Sequence, residues 1–204
     1  MKAAPRKCPV SGGQDARCRT NVTTHTELPR ADHAPTITVV LMGVSGSGKS
    51  TVMARMVERF AWPSAEADDF HPAENVAKMA AGDPLTDADR WPWLRMVAAW
   101  IGERERTGEN GVITCSALKR QYRDFLREGH PSVRFVQLTV DPKRLARRME
   151  QRQGHFMPPS LLGSQLATFE GLQADEPGAV LSGELPPEGI VDEIAARFRT
   201  TKRR

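Results

Sequence analysis

The chain is poor in cysteine, with three in 204 residues, an odd number and too few for a disulfide scaffold. Its apolar runs are short. The longest, around Ile37 to Val44, falls well below the roughly 20 residues that cross a bilayer. No charged-then-apolar-then-small pattern of a secretory signal opens the chain. The body also lacks a surplus of positive charge, although the net charge is +4. Residues 1–35 hold six Lys and Arg against three Asp and Glu, and residues 197–204 hold five cations and no anion. Residues 36–196 hold 18 cations against 22 anions. The positive balance therefore belongs to the two ends and argues against a nucleic-acid surface. These shortages lead us to expect a protein of the reducing cytoplasm, with neither membrane nor nucleic acid as partner. What is present fits one domain: 39% apolar residues is an ordinary globular share, and the length suits a single core.

Residues 1–35 carry Gly12-Gly13 and prolines at 5, 9, 29 and 35 but no apolar period, which predicts a flexible leader outside the fold. Cys8 and Cys18 stand too far apart for the short ligand spacing of structural zinc, despite His25 and His33 nearby. From Thr36 the pattern becomes regular. Strands are expected over Thr36–Met42, Ser64–Asp68, Gly111–Cys115, Val133–Val140 and Ala179–Ser182. Helical spacing marks segments around Val52 and Met56, from Pro72 to near Gly82, through Leu94 and Ile101, and through Tyr122 and Leu126. Further helices hold Leu145 and Met149, Leu162, Leu166 and Phe169, and Ile190 to Phe198. Thr86 and Asp89 have capping-box spacing, and Asp141-Pro142 pairs a cap with a first-turn proline. Strands alternating with helices predict an α/β fold in three layers: a parallel sheet over residues 36–199 with helices on both faces, then a basic tail at 200–204.

Gly43-Val44-Ser45-Gly46-Ser47-Gly48-Lys49-Ser50 fits the phosphate-loop pattern G-x-x-x-x-G-K-[ST] in full. Its glycines let successive N–H groups turn inward as a positive nest, and the following helix aims its first amides at the same anion. Lys49 is placed to reach the β- and γ-phosphates of ATP, the Ser50 hydroxyl to ligate Mg²⁺, and Thr51 to add a phosphate contact. A GTPase needs an Asn-Lys-x-Asp segment, which is missing. A motor ATPase needs an apolar strand ending in an acid, whereas the strong later strands end in Cys115 and in Asp141, the helix cap.

The series from Glu66-Ala-Asp-Asp-Phe-His-Pro72 through Pro84-Leu85, Asp87, Asp89-Arg90 and Pro92-Trp93, then Cys115-Ser-Ala-Leu-Lys-Arg120, Gly154-His-Phe156 and Gln165, resembles the gluconokinases of the shikimate-kinase-like phosphate-loop group. The likeness runs from about Thr36 to Ala179. It implies a nucleoside-kinase-like fold, a small lid over about 153–165, and a homodimer that moves the γ-phosphoryl of ATP to the 6-hydroxyl of D-gluconate. One departure is Glu66, where the family commonly has Asp.

Phosphoryl transfer calls for cations, a metal and a carboxylate beside the acceptor hydroxyl. Asp68, just past the second strand, either accepts the hydrogen bond of that hydroxyl or ligates Mg²⁺ through water. Arg90, Lys119 and Arg123 are candidates for the acceptor carboxylate, the last two on one expected helix face. His71, Lys78 and Ser116 are further acceptor contacts. Arg148 and Arg152 lead into the loop at His155, where a lid would close and a cation would neutralise charge on the transferred group. Cys115 reads as a small buried thiol, and Trp91, Trp93 and Trp100 as core or dimer contacts. Two other readings stay open: a different small-metabolite kinase of this fold, and a nucleotide-binding module without turnover.

Overall fold

The computed structural model describes residues 36–151 and 161–200. The strands are β1 Thr38–Met42, β2 Ser64–Glu66, β3 Gly111–Thr114, β4 Val133–Thr139 and β5 Gly178–Ser182. The helices are α1 Lys49–Phe60, α2 Ala73–Ala80, α3 Asp87–Thr107, α4 Arg120–Arg127, α5 Pro142–Gln151, α6 Leu161–Thr168 and α7 Pro187–Phe198. All strand pairs are parallel, in the order β2-β3-β1-β4-β5.

β1 is buried along its whole length because helices cover both faces. Val39 and Leu41 pack with Val52, Met56, Ile190 and Ile194 of α1 and α7. Val40 and Met42 point the other way, into Trp93, Leu94, Val97, Ile101, Tyr122 and Leu126 of α3 and α4. Each such side chain contributes about 1.5–3 kcal/mol on burial, so the run of apolar letters in β1 serves two cores at once. The expected α/β architecture is the one found.

β1 lies between β3 and β4: after it the chain fills one side of the sheet with β2 and β3, then crosses to β4 and β5 on the other. This places the carboxyl end of β1 at a switch point, the usual ligand crevice of open α/β sheets. Local signals set the elements around it. Thr86 and Asp89 form a complete capping box at the start of α3: Asp89 N–H donates to the Thr86 hydroxyl at 3.3 Å and Thr86 N–H to the Asp89 carboxylate at 2.9 Å. Asp141 Oδ1 accepts the Lys143 N–H at 2.9 Å and so caps α5.

Some expectations shift. β2 is three residues long, and Ala67–Phe70 winds as a 3₁₀ turn instead of extending the strand. Phe169 lies just past α6, and Leu166 is 40% exposed instead of inward. Thr200, assigned to the tail, is buried, with its N–H on the Ala195 carbonyl. The leader at 1–35 and the rest of the tail lie outside the described residues, as does the expected lid except for 161–165, which open α6.

Candidate active site

The phosphate loop starts where β1 runs out. Gly46 and Gly48 hold φ of 80° and 100°, a region that residues with a Cβ adopt only under strain. Gly48 caps α1, so the unpaired first amides of that helix face the hollow of the loop. Lys49 Nζ donates to the Gly43 carbonyl at 2.9 Å and to the Val44 carbonyl at 3.1 Å, which pins the ammonium at the loop's mouth. The Ser47 hydroxyl is buried with no hydrogen-bond partner among the described residues. An oxyanion in the loop would satisfy it. Arg148 closes one side, donating to the Gly46 carbonyl at 3.1 Å and the Gly183 carbonyl at 3.2 Å.

A cavity of about 590 Å³ extends from the loop, lined by 45–52, by Glu66, Asp68 and Asp69 at the end of β2, and by Leu185, Pro187 and Ile190. Glu66 accepts a hydrogen bond from the Thr114 hydroxyl, its neighbour in the β2–β3 register. The Ser50 hydroxyl and these three carboxylates share the cavity. Such hard oxygen donors suit Mg²⁺, which takes few protein ligands and keeps phosphate and water for the rest. Among the described residues no group of three or more His, Cys, Asp or Glu could hold a metal by itself, so the cation would enter with the nucleotide's phosphates.

A smaller recess of about 30 Å³ adjoins it, lined by Ser45, Lys49 and Asp68, which also line the larger cavity, and by His71, Arg90 and Ser116. Met79, Pro84, Leu85, Leu161, Ser164 and Gln165 complete its wall. Trp93 lies behind His71, one of the lining residues. The buried indole N–H donates to the Ala67 carbonyl at 2.6 Å, and its ring stacks on His71 at 4.4 Å between centroids, 15° from parallel. One side chain thus fixes both the residue before Asp68 and the imidazole. Burial lowers the His71 pKa to about 4 against the opposing pull of Asp68, with a smaller lowering from the Arg90 charge. The Asn75 amide lies 3.4 Å from Nδ1. With Nδ1 accepting, Nε2 is the ring's donor. Neither Asp68 nor Asp69 caps α2, which begins after Pro72 without a side-chain cap.

The structure brings Ser45 to Thr51, Asp68, His71, Arg90, Ser116 and Arg148 onto the walls of the two spaces. Gly43 and Val44 lie behind them and serve the loop through their carbonyls. Arg123 is a correction. Its guanidinium is fully buried, ion-paired with Glu176 at 2.6 Å, and bonded to the carbonyls of Ala117, Glu170 and Gly171. Burial pushes the Glu176 carboxyl up, but the bond from Arg123 and the Gln173 amide hold it below its usual range. Arg123 is a strut between the loop after β3 and the loop before β5, not an acceptor contact. Lys119 is the N-cap of α4, not a residue of its interior face, and its ammonium sits 2.7 Å from Asp87. Bonds from Lys119 and Tyr122 lower Asp87 to about 2. Lys78 points to Asp89 at 2.7 Å and is largely exposed. Both lysines are engaged away from the recess because capping carboxylates lie nearer. Arg152 and His155 lie outside the described residues. Burial pushes the Cys115 thiol up to about 12, so it is inert.

The chain that carries this site is similar to known proteins along most of its length. A family model described as an AAA domain matches residues 39–172. A gluconokinase of Gluconobacter oxydans is 47% identical over 161 residues, which cover 79% of this chain and 90% of that one. The chain belongs to the gluconokinase family. A gluconokinase crystal structure from Sinorhizobium meliloti is 45% identical, with a TM-score of 0.70 over 81% of this chain and 92% of that one. An unliganded sugar kinase structure from Janibacter is 52% identical, with a TM-score of 0.77 over 81% and 95% of the two chains. Set beside the gluconokinase blocks, two contributions escaped the reading of the sequence. Trp93 stands in the family blocks and reads as a core or dimer contact, and nothing local announces its bond to Ala67. The apolar wall of Leu185, Pro187 and Ile190 follows the last strand with no motif at all.

Proposed function

We propose that this protein transfers the γ-phosphoryl group of ATP to the 6-hydroxyl of D-gluconate, releasing ADP and 6-phospho-D-gluconate. The observation that carries this is the shared wall: Lys49 and Asp68 line both the nucleotide cavity and the acceptor recess, in a chain of the gluconokinase family.

The triphosphate lies in the nest of 46–51, with Lys49 and Arg148 as its cations, and the base lies against Leu185 and Ile190. The recess is small, about 30 Å³, and the sugar acid extends from it into the adjoining larger cavity. Arg90 grips the carboxylate, where a guanidinium can make two parallel bonds. His71, neutral at physiological pH, donates to a hydroxyl, and Ser116 adds a further contact. The 6-hydroxyl reaches Asp68, which accepts its proton as the new P–O bond forms and the bond to the ADP oxygen breaks. A positioned base contributes about 10²–10⁴-fold, and most of the remainder is alignment and charge stabilisation. Ser50 and Asp68, with Glu66 beside them, would hold Mg²⁺, which would supply positive charge against that of the phosphates. Arg152 and His155 remain assigned to the lid side of the nucleotide and the acceptor respectively. The family likeness further supports a homodimer acting in the cytoplasm on a small molecule, which light scattering and fractionation test. No helix among the described residues is long and apolar enough to cross a membrane.

A coupled ADP-release assay with gluconate, shikimate, glycerate and nucleoside monophosphates tests the acceptor. Turnover with gluconate alone is expected. Turnover with another acceptor and none with gluconate would leave a different kinase of the same fold, and none with any acceptor would leave a binding module.

A further inference from the structure

Gln165 belongs to α6, is 7% exposed, and lines the acceptor recess beside Leu161 and Ser164. These three stand at i, i+3 and i+4, so one face of the helix forms the wall. The Gln165 Oε1 accepts the backbone N–H of Ser45 at 2.8 Å, across 120 residues of sequence. The next residue on the helix side, Leu162, packs in an apolar cluster with Val44 and Met149. α6 therefore grips the phosphate loop twice, through Val44 by packing and through Ser45 by hydrogen bond.

The Ser45 N–H and the Val44 carbonyl are two ends of one rigid peptide plane. That carbonyl accepts from Lys49 Nζ at 3.1 Å and from the Ser47 N–H at 3.3 Å. Turning the plane to find another partner for a buried Ser45 N–H would carry the carbonyl away from both. We propose that Gln165 is a positioning residue for phosphoryl transfer: from the acceptor wall it fixes the Val44–Ser45 peptide plane and, through it, the Lys49 ammonium. The inference rests on the function proposed above and deepens it. Because Gln165 lines the acceptor recess and holds the Ser45 N–H, any movement of its side chain is passed directly to the phosphate loop.

The test compares Gln165→Leu with Gln165→Glu. Leu removes the acceptor of the Ser45 N–H, and kcat is expected to fall about tenfold or more, since small misplacements of reacting groups are costly. Glu keeps an oxygen for that N–H, so kcat at saturating gluconate recovers to within about threefold of wild type. Its new negative charge on the recess wall raises the KM for the anionic acceptor by about tenfold or more. A residue serving only helix stability would move the melting temperature without this split. The proposal is overturned if folded Leu protein keeps its kcat within about twofold, or if Glu loses as much kcat as Leu. Should Leu fail to fold, Gln165→Asn, whose shorter arm withdraws the amide from Ser45, replaces it with the same expected loss. Wild type is assayed alongside. Its inactivity with gluconate would count against the proposed acceptor, while the variant ratios are read on whichever acceptor the wild type does use.

Discussion

The two halves of the site are assembled in opposite ways. The nucleotide half centres on one stretch, 45–52, whose backbone amides face the hollow of the loop, with Arg148 and an apolar wall added from later elements. The acceptor half gathers Asp68, His71, Arg90, Ser116 and Gln165 from four places and presents side chains. A backbone site needs glycines and a lysine at fixed spacing and can be read along the chain. A side-chain site depends on which of several eligible groups the fold leaves facing it. Arg90 and Arg123 make the contrast sharp: the same residue type sits once on the recess wall and once sealed against Glu176.

Four outcomes would break or sharpen that contrast. Asp68→Asn should lower kcat by about 10²–10⁴-fold with a much smaller change in ATP-analogue affinity, because the proposed base is lost while the backbone nest is untouched. Calorimetry beside steady-state kinetics checks this. Arg123→Met strands Glu176 in the core and should cost about 3–5 kcal/mol by denaturant unfolding. The KM for gluconate of the folded fraction should not move, and a large rise would return Arg123 to the acceptor half. Arg90→Met should raise that KM about ten- to a hundredfold, with the KM for ATP unchanged, as expected for loss of a charged hydrogen bond. The smallest effect is expected of pH. His71, with its pKa lowered to about 4 by burial, should show no NMR titration near 6.5. Its folded pKa lies below the unfolded one, so the unfolded chain takes the proton first. The stability from its neutral form is complete above about 6.5 and is lost as pH falls toward about 4.

Much of the frame was legible because its signals are local. The five strands, the Thr86–Asp89 box and the Asp141 cap each depend on neighbours within a few residues. The phosphate loop was legible for the same reason. What escaped depends on distant partners. Glu176 lies 53 residues from Arg123, in a segment given no part in the acceptor site, so a cation one turn from Lys119 looked equally fit for substrate. Lys119 and Lys78 were drawn off by Asp87 and Asp89, the acids that open α3. Trp93 reads as core, and it is buried, but its indole N–H is what holds the turn bearing Asp68. Chemistry carried by a buried edge of an apolar residue has no periodic signature. The resemblance to a family supplied Arg90, His71 and Ser116 together with residues that the fold assigns elsewhere, and only the packing separates the two sets.

The most direct measurement is a crystal structure of the protein with a non-hydrolysable ATP analogue and gluconate together. It should show the γ-phosphate at Lys49, the 6-hydroxyl of the acceptor within hydrogen-bond reach of Asp68, and its carboxylate on Arg90. Gluconate bound outside the recess, or Asp68 turned away from the terminal phosphate, would contradict the account.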